Sequence, residues 1–349
     1  MIGPFFFIKY LDLFKNVTVV SLCLIIVFIK ITVEAQPTTQ SVTRSYHSQL
    51  AHQSSIKTKQ NMKTESRILS ADDLLERFVN LEHASKEQTQ DAINESNESF
   101  TLLDARDLYP KFYWSHIQGA QHTPWRFFTQ GSRSGVLVDL PLLTDKVQSL
   151  GIYPDQPVII YGDWHKGWGE EARMLWLLEY LGHQKVYVIE GGWEAIKSLN
   201  IPKSWGKTER GKRSSWIPKP QEYLRATHQK VKELLSKSVV SIDARSLKEY
   251  EGATPYGSAY GGHFANSIHL EMHAVLDAKY QLKSKSELKA LFTSLGLQKK
   301  QTIFTYCTGG IRSAFIYLAL REAGFEHTMN YDGSWWEWTE KHPNQVIAH

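Results

Sequence analysis

The sequence contains very little cysteine: Cys23 and Cys307 are the only thiols in 349 residues. Because Cys23 lies in an apolar segment near the N-terminus, the rest of the chain cannot be held together by internal disulfides, as small secreted domains often are. A lone cysteine is either a buried, inert side chain or a reactive thiol. The surroundings of Cys307 must decide between the two.

A strong excess of one charge is also absent, as is any basic stripe interleaved with aromatic residues. The formal net charge is +4, with 42% hydrophobic and 22% charged residues. These proportions are ordinary for a soluble globular protein, and they predict no nucleic-acid partner. A chain of this length can form two domains, each with its own core.

No hydrophobic run reaches the about 20 residues that a membrane-spanning helix needs. The best candidate, Val17–Ile29, follows Lys9 and Lys15 and precedes Val33–Ala35, whose small or medium side chains suit a signal peptidase. Residues 1–35 are therefore predicted to be a signal peptide, and the protein is expected to be exported, either periplasmic or secreted. The alternative is an uncleaved anchor, which would be the chain's only link to a membrane.

Two polar stretches divide the remaining chain. Residues 36–66 are rich in Gln, Ser, Thr and Lys and are predicted to form a disordered tether. Ordered patterning begins near Ile68, and Ser70 is a candidate helix N-cap. Residues 203–219 carry many Lys, Arg, Gly, Ser and Pro residues and are predicted to be a linker. These boundaries predict one domain over residues 67–202 and another over residues 220–349.

The two predicted domains repeat each other. Matching segments occur in the same order and at nearly constant spacing: Leu102–Arg106 with Ser241–Arg245, His116–Ala120 with His263–Ser267, Val158–Tyr161 with Ile303–Tyr306, and Gly191–Trp193 with Gly333–Trp335. Self-similarity of this kind indicates a tandem duplication.

Short apolar runs alternate with helical patterns in each half. Val239–Ile242 and Thr302–Tyr306 suit buried parallel strands, and Ser313–Ala323 is typical of a helix that ends at Gly324. The strand–loop–helix order predicts an α/β fold, with a parallel sheet flanked by helices on both faces in each domain. In such sheets a ligand lies at the carboxyl ends of the strands.

Cys307 follows one of these strands and opens a tight loop that ends at Arg312. Gly309 and Gly310 permit the positive φ angles with which backbone N–H groups converge on one point. The N-terminus of the following helix and the Arg312 guanidinium would both stabilise an anion there, so a thiolate is expected at Cys307. The pattern favours a reactive thiol over an inert one.

This loop, the Asp-Ala-Arg segments at the strand ends, and Tyr331–Trp335 together resemble the rhodanese family, over residues 68–345. The arrangement is similar to that of the two-domain thiosulfate and mercaptopyruvate sulfurtransferases, in which only the second domain is catalytic. The resemblance implies that Cys307 takes sulfur from a small anionic donor, thiosulfate or 3-mercaptopyruvate, and holds it as a persulfide. A thiol, cyanide or a protein would then accept the sulfur, with no cofactor or metal required.

The resemblance also implies roles for individual residues. The transferred group would be bound by the rest of the loop, which consists of Thr308, Gly309, Gly310, Ile311 and Arg312. Arg245 would support the loop or contact the donor, and a structural salt bridge behind the loop is the alternative. His263 is assigned to a structural role at a turn.

The first half has no cysteine after its matching strand, where Gly162 and Asp163 stand instead. This half is therefore predicted to be catalytically silent and to form one wall of the cleft, with a loop about three residues longer than its partner. Asp163, His165 and Glu170 share this one loop without a second cluster of ligands, so no metal site is predicted.

Two other functions are kept as alternatives. Cysteine-dependent phosphatases and arsenate reductases share the fold, but their loops carry five residues between Cys and Arg, whereas four separate Cys307 from Arg312. A non-enzymatic sulfur carrier or docking protein is the other alternative. The loop matches neither familiar two-domain pattern, so the sulfur donor stays open.

Overall fold

The computed structural model describes residues 66–76, 100–131, 133–208, 210–237 and 239–343. The predicted signal peptide and residues 36–65 of the predicted tether lie outside the described residues, and both stay predictions. Within the described ranges, no helix is long and apolar enough to cross a membrane.

Two parallel sheets organise the two halves of the chain. The first sheet has the strand order β1-β6-β5-β2-β4 and is formed by β1 (Ile68–Leu69), β2 (Thr101–Asp104), β4 (Gln121–His122), β5 (Val158–Tyr161) and β6 (Val186–Ile189). The second has the order β11-β10-β8-β9 and is formed by β8 (Val240–Asp243), β9 (Ile268–His269), β10 (Ile303–Tyr306) and β11 (Thr328–Asn330). A separate antiparallel pair joins β3 (His116–Ile117) to β7 (Lys203–Ser204).

The strand order of the second sheet repeats that of the first without β1. In each half the strand that ends at the Asp of Asp-Ala-Arg is an interior strand and pairs with the strand that precedes the loop, β2 with β5 and β8 with β10. All the pairs within both sheets are parallel. The predicted tandem α/β architecture is confirmed.

Helices cover the sheets. The structure gives α1 (Tyr109–Trp114), α2 (Leu140–Ser149), α3 (Glu170–Tyr180), α4 (Gly192–Ile196), α5 (His228–Ser236), α6 (Leu247–Tyr250), α7 (Lys285–Ser294), α8 (Arg312–Glu322) and α9 (Ser334–Lys341). Short 3₁₀ turns lie at Trp125–Phe128, Trp164–Lys166, Glu222–Leu224 and Met272–Val275.

Helix starts follow local capping chemistry. Residues 71–76 are helical, and the hydroxyl oxygen of Ser70 accepts the backbone N–H of Asp73 at 3.1 Å, as expected for an N-cap. Ser246 and Ser284 each form a capping box at the starts of α6 and α7. The predicted linker has less regular structure: β7 forms its beginning, and the rest of its described residues belong to no helix or strand.

Helices α3 and α8 bring the two halves together. Every residue of α3 is buried, and α8 is buried from Ser313 to Leu320, as expected for helices enclosed by protein on all sides. The hydroxyl of Tyr317 donates to Glu179 Oε2 at 2.8 Å, and the rings of Trp164 and Phe315 pack edge to face at 4.8 Å. The helix that follows the Cys307 loop therefore rests on its counterpart in the half that has no cysteine.

Candidate active site

Cys307 lies at the carboxyl end of β10, and α8 begins five residues later at Arg312. The side chain is buried, with 1% of its surface exposed. Its backbone is held by the start of α9: the N–H of Cys307 donates to the Ser334 hydroxyl at 3.1 Å, and the N–H of Trp335 donates to the Cys307 carbonyl at 3.0 Å. The Gly-Ser-Trp segment of the repeat thus fixes the first residue of the loop.

The loop turns hydrogen-bond donors toward the sulfur. The N–H of Gly310 donates to Cys307 Sγ at 3.1 Å, and the Ser313 hydroxyl lies 3.7 Å from the same atom. Because these donors sit at the N-terminus of α8, they favour negative charge on the sulfur. Of the loop's backbone N–H groups, that of Gly310 is the one recorded at the sulfur among the described hydrogen bonds, and Ser313 is a donor that was not predicted from the sequence.

Both glycines of the loop are needed for close contacts. A Cβ on Gly309 would collide with the ring of Trp336, and one on Gly310 would collide with the carbonyl oxygen of Asp332. Gly310 also has a φ of +82°, which other residues rarely adopt. Ile311 is buried beside them. These residues shape the loop through their backbone and their packing.

Arg312 closes the loop by pairing with a carboxylate. Its Nη1 and Nη2 donate to the two carboxylate oxygens of Glu249 at 2.7 and 2.9 Å, and Nη2 also donates to the Thr308 hydroxyl oxygen at 2.7 Å. Burial opposes ionisation of Glu249, but Arg312, Thr308 and Ser246 outweigh it and lower the pKa to about 2. Both terminal nitrogens of the Arg312 guanidinium are thus hydrogen-bonded to Glu249, and the ion pair carries no net charge.

Aromatic rings surround this ion pair. The Arg312 guanidinium lies 5.8 Å from the ring centre of Trp168 and 5.5 Å from that of Tyr256, and these two rings pack edge to face at 4.9 Å. The indole N–H of Trp336 donates to the Tyr256 carbonyl at 3.0 Å. Trp168 belongs to the loop of the first half, so that half contributes to the wall around Arg312.

Arg245 lies behind the loop in a buried salt bridge. Its Nη2 donates to Asp243 at 2.6 Å and to the Gly262 carbonyl at 2.7 Å, and its guanidinium stacks 4.5 Å from the ring centre of Trp335. None of its described hydrogen bonds reaches the loop or the sulfur. The geometry matches the structural alternative.

The first half contains the same arrangement without a nucleophile. Arg106 Nη2 donates to Asp104 and to the Ser115 carbonyl, and its guanidinium lies 4.3 Å from the ring centre of Trp193. Because the half without a cysteine keeps the same pair, the repetition favours the structural alternative for Arg245.

His263 also takes a structural position. One ring nitrogen, Nδ1, lies 2.9 Å from the Tyr250 carbonyl oxygen, and the two rings stack at 3.6 Å. His116 in the first half repeats this contact with Phe112. The repetition agrees with the role assigned from the sequence.

The first half supplies one more residue beneath the loop, which was not predicted. Arg173 on α3 donates to the Gly310 carbonyl at 3.1 Å and to the Gly135 carbonyl at 2.6 Å. Burial lowers its pKa to about 10, although the charges of Asp332 and Cys307 act in the opposite direction. A guanidinium from the half without a cysteine therefore contacts the backbone of the Cys307 loop.

In the silent half, a carboxyl group fills the position of the missing side chain. Gly162 follows β5 as Cys307 follows β10, and the loop 162–169 has eight residues against five in 307–311. A Cβ on Gly162 would collide with Glu171 Oε2. Neither carboxyl oxygen of Glu171 has a described hydrogen-bond partner. A cysteine at this position would therefore require the Glu171 side chain to move.

The buried carboxyl of Glu171 predicts a pH-dependent stability. Burial and the neighbouring Glu170 raise the pKa of Glu171 from 4.5 to about 8. Between these two values the folded protein holds a proton that the unfolded chain loses, so stability falls as the pH rises through this window. Glu171→Gln cannot ionise and should be more stable than wild type at pH 9, by on the order of 3 kcal/mol, with little difference at pH 4.

Urea denaturation at both pH values measures this difference, with the surface substitution Glu251→Gln as the control. An equal effect of Glu171→Gln at both pH values would contradict the prediction.

Among the described residues, no group of three His, Cys, Asp or Glu side chains is arranged to hold a metal ion. Of the candidates considered from the sequence, Asp163 pairs with Lys111, and His165 stacks on Tyr280 at 4.1 Å. Glu170 accepts the backbone N–H of Trp168 at 3.0 Å.

The site thus places a buried thiol, with hydrogen-bond donors facing its sulfur, at the carboxyl end of a parallel strand. The family model of the rhodanese-like domain matches residues 85–199 and 227–341, which together exceed half of the chain. The chain belongs to the rhodanese family and is a rhodanese-type sulfurtransferase with two such domains.

Curated relatives and solved structures agree with this assignment. A putative thiosulfate sulfurtransferase of Haloferax volcanii is 29% identical over 231 residues, covering 64% of this chain and 80% of the relative. The sulfur carrier protein TtuD of Thermus thermophilus is 28% identical over 237 residues, covering 64% of this chain and 82% of the relative. The crystal structure of SseA, a 3-mercaptopyruvate sulfurtransferase from Escherichia coli, has the same fold, with a TM-score of 0.62, 19% identity, and coverage of 78% of this chain and 99% of that one.

Proposed function

We propose that this sulfurtransferase moves a sulfane sulfur from thiosulfate or 3-mercaptopyruvate to a thiophilic acceptor, through a persulfide on Cys307. The observation that carries the proposal is the 3.1 Å hydrogen bond from the Gly310 N–H to Cys307 Sγ. Together with the N-terminus of α8 and the Ser313 hydroxyl, this donor would stabilise a thiolate before transfer and a persulfide anion after it.

The proposed reaction has two half-reactions. The Cys307 thiolate attacks the outer sulfur of the donor, and a new S–S bond forms as the bond from that sulfur to the rest of the donor breaks. The leaving group takes the bonding electron pair and departs as sulfite from thiosulfate, or as the enolate of pyruvate from 3-mercaptopyruvate. A thiolate or cyanide then attacks the outer sulfur of the persulfide and returns Cys307 to the thiolate.

The charged groups around the Cys307 loop determine which of its groups can attract the anionic sulfur donor. Arg312 is paired with Glu249, so the attraction for an oxyanion rests mainly on backbone N–H groups and on the helix N-terminus. The small ring, with four residues between Cys307 and Arg312, favours a single sulfur atom over a phosphate group.

A donor panel tests this function. The full chain is incubated separately with thiosulfate and with 3-mercaptopyruvate. The intact mass of the protein, the site of any added mass and the release of sulfite or pyruvate are then measured. One sulfur atom should be added per chain, on Cys307 alone, and cyanide should remove it. Neither donor producing an adduct would contradict the proposed function.

A sulfur carrier for a dedicated protein acceptor is the second candidate. The buried position of Cys307 supports it, as does the similarity to a relative named as a sulfur carrier protein. In this case a persulfide would form with a donor but would transfer slowly to cyanide and small thiols. Single-turnover decay of the persulfide with each acceptor separates the two candidates.

A further inference from the structure

The arginines around the catalytic loop differ in how their charge is balanced. Arg312 pairs with Glu249 at 2.7 Å, Arg245 with Asp243 at 2.6 Å, and Arg225 with Asp332 at 2.6 Å. No carboxylate of the described residues lies within salt-bridge distance of Arg173, whose side chain is buried. Arg173 is therefore a buried cation beside the loop with no direct ionic partner among the residues described.

The contacts of Arg173 explain why a cation is tolerated there. Its two terminal nitrogens donate to the carbonyls of Gly310 and Gly135, and its guanidinium stacks 4.5 Å from the ring centre of Trp176. Carbonyl dipoles and an aromatic face offset part of the cost of burying the charge. What remains is a positive charge hydrogen-bonded to Gly310, the residue whose N–H donates to Cys307 Sγ.

We propose that Arg173 is a positioning residue of the active site, through which the silent half orients the catalytic loop and stabilises the Cys307 thiolate. The Gly310 carbonyl accepts from Arg173 and from the Asn330 side chain at 3.1 and 3.0 Å, while the Gly310 N–H donates to the sulfur. Binding this carbonyl holds the left-handed conformation of Gly310 and thereby the direction of its N–H. The role of Arg173 in sulfur transfer rests on the proposed function, whereas its effect on the thiolate does not.

This assignment gives the silent half a function beyond packing. The cradle is built from the residues between β10 and α8 and from the first turn of α8, but its Gly310 is held by a side chain from α3. A second contact from the first half is Gly135, where a Cβ would collide with the carbonyl oxygens of Gly309 and Asp332. The catalytic loop is therefore incomplete without the first half.

Two substitutions in the full chain test the proposal. Arg173→Met removes the charge and both hydrogen bonds. Arg173→Lys keeps the charge but loses the planar guanidinium, whose two terminal nitrogens form these bonds. Thiolate formation is measured as the rate of Cys307 alkylation by iodoacetamide between pH 5 and pH 10. Persulfide formation is measured in a single turnover with thiosulfate and with 3-mercaptopyruvate.

For Arg173→Met we expect alkylation at pH 7 to slow by about 10-fold or more, with the whole pH profile moved to higher pH, because an opposite charge is lost near the thiolate. Persulfide formation should slow by on the order of 10²-fold. Arg173→Lys should keep alkylation within about 3-fold of wild type and still form the persulfide more slowly, because one ammonium cannot reproduce the paired hydrogen bonds.

Arg106→Met is the matched control, since it also removes a buried arginine of the silent half but does not contact the loop. Its folded fraction should keep the wild-type alkylation profile. The proposal would be overturned if folded Arg173→Met kept the wild-type pH profile of alkylation. If Arg173→Met does not fold, unchanged persulfide formation in Arg173→Lys would overturn it instead. If wild type forms no persulfide while alkylation still responds to Arg173, the proposed function fails and the effect of Arg173 on the thiolate stands.

Discussion

Replacing Cys307 with alanine is expected to reduce sulfur transfer to the uncatalysed background, a loss of at least about 10³-fold in turnover. The physical reason is that the proposed reaction stores the sulfur on this atom, and Cys307 is the one free cysteine of the described residues. The hydrogen-bond donors at the N-terminus of α8 can polarise a bound thiosulfate or 3-mercaptopyruvate. Without the thiolate, however, no bond to the outer sulfur of that molecule can form. Steady-state release of sulfite or pyruvate measures the loss.

Two controls accompany this substitution. Cys307→Ser keeps the size of the side chain and should melt close to wild type while being equally inactive, which separates chemistry from folding. In the half without a cysteine, Gly162→Cys should not restore activity to Cys307→Ala, because the new thiol would lie against the Glu171 carboxyl, whose negative charge opposes a thiolate. Turnover of Cys307→Ala above a tenth of wild type would show that sulfur passes directly from donor to acceptor.

The tandem fold and the position of Cys307 could be predicted because both depend on local patterns. Strands β2 and β8 are short, largely buried runs that each end at the Asp of an Asp-Ala-Arg segment, and a glycine-rich loop directly follows β10. A loop between a strand and a helix start is defined by neighbouring residues, so its chemistry can be inferred from the order of side chains alone.

The partners of the loop could not be predicted in this way, because they come from distant positions. Arg173 meets Gly310 across 137 residues, and Glu249 meets Arg312 across 63. Glu249 also completes the capping box of α6 with Ser246, and this local role is enough to account for an acidic residue at that position. The sequence therefore gives no reason to expect its second contact, with Arg312. A sequence pattern shows that Arg312 carries a charge, but not which carboxylate will neutralise it.

The silent half shows the same limit. The absence of a nucleophile after β5 could be predicted from Gly162, but the carboxyl of Glu171 in its place could not. Burial of an acidic residue at a helix start depends on the packing of α3 against α8, and α3 carries too little amphipathic pattern to show which of its residues face the core.

The second large effect is expected at the buried pair of Asp243 and Arg245. Asp243→Ala should lower the free energy of unfolding by about 3 to 5 kcal/mol, because it leaves a guanidinium buried without its counter-charge. The two side chains are 0% and 1% exposed, so water cannot replace the lost carboxylate. Urea denaturation measures the change, and Asp145→Ala serves as the control, since it breaks an exposed pair with Arg213 and should cost at most about 1 kcal/mol.

The double substitution Asp243→Val with Arg245→Met tests whether the ion pair only supports the fold or whether Arg245 also contacts the sulfur donor. Removing both charges should recover most of the stability lost in Asp243→Ala, because apolar side chains can replace a buried ion pair at little cost. If Arg245 only supports the fold, the folded double variant should keep the wild-type KM for the sulfur donor, just as Asp104→Ala in the silent half should. A KM raised about 10-fold or more, with stability recovered, would mean that Arg245 contacts the donor during the reaction. Since Arg106 forms the same pair beside a loop that has no nucleophile, we expect the KM to be unchanged.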